Sequence, residues 1–113
     1  MSSLSQNVLG FNAFASFNAD AAAAAFFVQR GFASPGFVRN GVGDYTFTLS
    51  NGVDMTNQGI VQATIQNNAP GIIGVEVLTT TTFRVRVFSA TTVPAIAAAD
   101  LDFWLQVYET GPN

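Results

Sequence analysis

Apolar and polar side chains alternate with a period of two in short segments separated by turn residues, and that rhythm confines the chain to β structure. Successive side chains on a strand point to opposite faces. In 44–49, DYTFTL, Tyr45, Phe47 and Leu49 therefore share one face and Thr46 and Thr48 the other. In 82–88, TFRVRVF, Phe83, Val85 and Val87 face one way while Arg84 and Arg86 face the other. In 101–109, LDFWLQVYE, the apolar side is Leu101, Phe103, Leu105 and Val107, which leaves Trp104 and Tyr108 opposite. Each segment reads as a strand with one side against a core.

Two further segments, 59–66 (GIVQATIQ) and 72–78 (IIGVEVL), put Val61, Ala63 and Ile65, and Ile73, Val75 and Val77, on their inner sides, with Glu76 outward. The residues between them, NNAPG, supply turn chemistry, so the pair is expected to form a hairpin with a longer loop. Near the N-terminus, 10–20 alternates through Phe11, Ala13, Ala15 and Phe17 and then meets five alanines. A run that short does not hold a helix in water. A turn is expected over 20–23, followed by a strand over 24–29. The alanine-rich piece 93–100, VPAIAAAD, is expected to cross the sandwich edge or to make one helical turn after Pro94. The predicted fold is all-β: one antiparallel, jelly-roll-like β-sandwich over 10–113 with an N-terminal arm over 1–9.

A chain of 113 residues suits one domain of this kind, and eleven phenylalanines are available to fill it. Charge is the anomaly: 10% of residues are charged, there is no lysine or histidine, and a soluble domain usually has about 25%. Either neutral polar groups coat the surface or much of it faces other chains. The net charge of −3, with four scattered arginines, argues against gripping nucleic acid through its phosphates. Without cysteine or histidine there is no disulfide, no thiolate zinc site and no Ser-His or Cys-His catalysis. The longest apolar run, AAAAAFFV, is too short to span a membrane, and MSSLSQN lacks the positive charge of a secretory signal. No enzyme activity, cofactor, metal or membrane association is expected.

Three features were candidates for chemistry. Asp100 and Asp102 can project together toward a cation or a sugar hydroxyl, or simply keep a strand start solvated. The glycines of 37–49, FVRNGVGDYTFTL, resemble a phosphate loop, but strand-forming residues follow where such a loop needs a helix. The stretch is instead expected to be a structural turn, with Asn40 and Gly41 at its centre and Gly43 and Asp44 launching the next strand. Trp104 and Tyr108 can anchor a subunit interface, pack under a loop, or stack on a sugar. The candidate interface is Arg84, Arg86, Trp104 and Tyr108, with Arg30 and Arg39 as interchain partners for Asp44 or Asp20.

The stretch 15–49 resembles a module that recurs in bacteriophage tail-fibre and virion proteins. There a "W/F-x-x-F-N" strand precedes a stretch ending in "N-G-x-G-D-Y". Phe14, Phe17 and Asn18 match the first piece, and Val28 and Arg30 fall at an Ile-Arg pair of the family. Phe37, Val38, Asn40, Gly41, Gly43, Asp44 and Tyr45 match the most specific piece. The resemblance implies a small β-sandwich on the exterior of a virion, commonly a trimer, assembled in the host cytoplasm. It further implies a capsid decoration or cement protein whose partners are its own copies and virion proteins such as the major capsid protein. The other role it implies is a head or tail fibre knob that binds a receptor or glycan on the host surface.

Overall fold

The computed structural model describes residues 13–50, 55–56, 59–66, 70–90 and 96–109. The expected arm over 1–9, Phe11 and the segment around Pro94 lie outside them. The strands are β1 (Ala13–Asn18), β2 (Ala25–Arg30), β3 (Phe32–Gly41), β4 (Asp44–Leu49), β5 (Gly59–Ile65), β6 (Gly71–Val77), β7 (Thr82–Ser89), β8 (Ala97–Ala98) and β9 (Phe103–Glu109). They form two antiparallel sheets, one ordered β2-β1-β9-β5 and the other β3-β4-β7-β6, with β8 beside the end of β7. The fold is an all-β sandwich, as the alternation requires.

Alternation also selects the core. Phe17, Tyr45, Phe47, Phe83 and Phe103 are fully buried, and Leu105, Val85, Val87 and Val107 close the space between the sheets. The rings meet mostly edge to face, as between Phe17 and Phe47 (centroids 5.1 Å apart, planes at 83°), the geometry that aromatic quadrupoles favour. Phe47 and Phe83 stack at 5.5 Å. Small residues complete the inner row of β1, where buried Ala13 and Ala15 alternate with outward Phe14 and Ser16.

The alanine run resolves as expected at its start. Ala23 N donates to the Asp20 carbonyl at 3.0 Å, and Ala22 N donates to Asp20 Oδ1 at 3.0 Å, a side-chain-supported turn that feeds β2. A bulge inserts Phe27 between Phe26, opposite Phe17, and Val28, opposite Ser16.

Two expectations fail. The segments 59–66 and 72–78 are not a hairpin: β5 pairs with β9 and β6 with β7, in different sheets. The centre of the 37–49 corner is Val42 and Gly43, not Asn40 and Gly41. Gly41 pairs with Asp44, a register shift falls between Arg39 and Gly41, and the positive φ is at Gly43 (63°). Only Gly43 needs to be glycine for packing too, since a Cβ there would stand 2.4 Å from the Val87 carbonyl oxygen, whereas one on Gly41 would meet nothing within 4 Å. In the described part of the alanine-rich piece, Ala97–Ala98 pairs with the end of β7, with Ala98 opposite Phe88, and no helical turn forms over 96–100.

The winding is that of a jelly roll cut short. A full jelly roll has eight strands in two layers. The trios β1-β9-β5 and β4-β7-β6 follow such a winding, first strand beside last in one layer and the next beside the penultimate in the other. Among the described residues no strand lies outside β5 or β6, and the β2–β3 pair widens the opposite end instead.

Candidate functional site

Asp100 and Asp102, the one close carboxylate pair, each take up donors of their own chain. Asp100 Oδ2 accepts from Arg39 Nη2 at 2.7 Å, and Oδ1 accepts from Gly43 N at 2.9 Å and from the Tyr45 hydroxyl. Asp102 Oδ1 accepts from Ala19 N at 2.8 Å. Among the described residues no group of three acidic or histidine side chains is placed to hold a metal. Asp100 thus fastens the loop before β9 to both strands and the turn of the β3–β4 hairpin. Burial opposes its ionisation, but the hydrogen bonds from Arg39, Tyr45 and Gly43 outweigh it and hold the carboxyl below the usual carboxylate range. Burial and the neighbouring carboxylate push the Tyr45 phenol up.

Arg39 and Asp44, expected as partners across a boundary between chains, are each engaged internally. Arg84 Nε and Nη2 donate to Asp44 Oδ1 and Oδ2 at 2.8 and 2.5 Å, a bidentate pair across β4 and β7, and Asn40 Nδ2 adds a bond to Oδ1 at 3.1 Å. The Arg84 bonds, helped by Asn40, pull the Asp44 carboxyl from 3.8 down to about 2. Because the folded value lies below the unfolded one, this contribution to stability is complete above about pH 4 and disappears as the pH falls toward 2. With discounting for solvent exposure, wild type should lose on the order of 1 kcal/mol more than Asp44→Asn between pH 5 and 2, measured by urea denaturation.

Arg86, next outward on β7, has no ion-pair partner among the described residues. It lies opposite Gly74, whose missing side chain leaves an open groove bounded by Glu76 and Phe88. Arg30 is exposed at the end of β2 and is likewise without an ion-pair partner among the described residues; Asp20 is used in its own turn.

Trp104 is 49% exposed on the outer face of the β2-β1-β9-β5 sheet, and Tyr108 is half-buried on the same face. Strand pairing sets Trp104 between Ser16 of β1 and Thr64 of β5, and Gln106 between Phe14 and Gln62. Beside them is Gln66, a residue the alternation gave no role. It is buried, and its Nε2 reaches over β9 to donate to Ser16 Oγ at 2.9 Å and to the Phe103 carbonyl at 3.0 Å. A polar residue in register with an outward row carries no sequence signal for that crossing.

The β5–β6 end is open. Val61, Ala63, Ile65 and Ile73 are only partly buried, and Val75 and Val77, inner-facing by parity, are 37% and 38% exposed. Ile60, Ile72 and Leu78 add exposed apolar surface around them. Both are edge strands, seven residues each, and the two together carry Glu76 as their single charge. The opposite end exposes Phe27, Val28 and Val38. Natural edge strands are normally protected by charge, proline or a covering element.

No family model matches the chain, and no curated protein or solved structure matches it. The likeness to phage fibre modules therefore rests on the residues quoted above. No helix among the described residues is long and apolar enough to cross a membrane.

Proposed function

We propose that the chain is a non-enzymatic structural module that assembles with its own copies through the ends of its sandwich. The observation that carries this reading is the open β5–β6 end, where inner-facing valines lie beside backbone edges that no described strand pairs, with almost no charge to repel another strand. A ring of copies needs two different complementary patches on each chain, and the β2–β3 end supplies the second with Phe27 and Val38. A trimer is the smallest such ring beyond a pair, and it is the state that the phage-module resemblance implies. The same resemblance supports a place on the outside of a bacteriophage particle as a decoration or cement protein bound to the major capsid protein. Low charge fits a surface largely turned toward other chains.

A fibre knob that binds a host receptor is the second reading, favoured by the half-exposed indole of Trp104. Sedimentation with purified particles tests the first. The chain should run as an oligomer alone and co-sediment with capsids at saturating stoichiometry; a stable monomer that binds neither capsids nor tails would overturn it.

A further inference from the structure

We infer that the outer face of the β2-β1-β9-β5 sheet is a saccharide-binding platform centred on Trp104, with Arg30 placed to take a carboxylate on an acidic sugar. This deepens the receptor-binding reading and is independent of the self-association at the sandwich ends. A groove of about 440 Å³ runs beside the indole, with Phe14, Ser16, Val28 and Gln106 among its walls. That volume is in the range of small-ligand sites, which combine an apolar floor with a few placed polar groups. Trp104 stacks on no other ring among the described residues, so its face is available to the C–H side of a pyranose.

The chemistry around the indole selects the ligand. Gln62 and Gln106 are directly paired across β5 and β9 and both exposed, and Thr64 flanks Trp104 on the β5 side. Covering these amides and hydroxyl with an apolar protein surface would strip them of water without returning their hydrogen bonds, whereas sugar hydroxyls return them. Among the described strand residues of this face Arg30 is the only charge, which excludes a polyanion such as nucleic acid and suits a single carboxylate. Arg30 stands opposite Phe14, two strands from Gln106, about 10 Å away. A chain of two or more rings bridges the indole and the guanidinium. The face is a sheet surface rather than an edge, so joining copies through their ends leaves it open.

Trp104 is the sole tryptophan, and its fluorescence reports on this site alone. The full chain would be screened on an array of neutral and acidic oligosaccharides, then titrated with trigalacturonate and with the matched neutral galactose trimer while that emission is followed. Saturable binding is expected, stronger for the acidic trimer. Trp104→Ala should weaken it about tenfold or more, read by calorimetry since the signal is then lost. Arg30→Gln should remove the acidic preference and leave neutral binding in place. Both positions are exposed, so both variants should keep the wild-type circular dichroism, and Gln106→Ala provides a third probe of the same groove. Silence across the array, or binding that survives Trp104→Ala, overturns the inference. If Trp104→Ala instead dissolves the oligomer and no sugar binds, the face belongs to a second copy and the inference also falls.

Discussion

Phe47→Ala is expected to destabilise the fold by about 4 kcal/mol, the upper part of the range for emptying an aromatic site in a packed core. Phe47 is fully buried at the centre of β4, and its ring touches those of Phe17, Phe32, Phe83 and Phe103, drawn from both sheets. Rings held edge to face by several neighbours cannot all slide into the space one of them leaves, so most of the cavity should persist. Against a total stability of about 5–15 kcal/mol for a domain this size, such a loss removes a large share. A fall in melting temperature of about 15 °C or more is expected in calorimetry. Phe47→Leu, which keeps most of the volume, should cost about 1.5 kcal/mol. A loss below about 1 kcal/mol for the alanine variant would mean that the two sheets do not share this core.

Asp100→Ala should be the next most damaging change, at about 3 kcal/mol, because it strands several donors at once. The Tyr45 hydroxyl is then left with the Ala19 carbonyl at 3.4 Å, Gly43 N loses its acceptor, and Arg39, whose Nε is already buried without a partner among the described residues, loses its counter-ion. Asp100→Asn keeps an acceptor oxygen but no charge and should cost about half as much. Tyr45→Phe removes one bond from the set and should cost about 1 kcal/mol. The double variant Asp100→Ala, Tyr45→Phe should be less damaged than the sum of the singles, since the second change removes a group that the first left unpaired. Denaturant titration of the four proteins checks the order; equal effects of Asp100→Ala and Asp100→Asn would show that the charge carries nothing.

The contrast between these two sites explains what the sequence could reveal. Phe47 is legible because alternation within six residues of β4 decides which way it points, and the same local rule places Val85, Leu105 and the outward Trp104. Asp100 is not, because its partners lie 55 to 61 residues away and are brought to it by the winding of the sheets. Asp100 and Asp102 look like a pair in sequence, yet they reach different parts of the structure. The supposed hairpin of β5 and β6 fails for the same reason: a period of two assigns a face to a residue but no partner to a strand. Within the 37–49 corner the glycines mark the turn, but its centre lies two residues beyond Asn40 and Gly41 because a bulge, invisible to propensity, absorbs Asn40. The arginines show the limit most clearly. Arg30 and Arg86 are exposed, but Arg39 and Arg84 are spent within the chain, so the proposed interface rests on apolar residues at the sandwich ends.

That transfer makes self-association a claim about Val75 and its neighbours on β6. An acidic side chain at this exposed inner-edge position should leave the monomer fold intact while repelling a neighbouring strand. Sedimentation velocity of wild type and Val75→Glu over a range of concentrations is the direct measurement. The expected result is a wild-type trimer and a folded Val75→Glu monomer; a wild type that stays monomeric throughout, or a variant that assembles as wild type does, would contradict it.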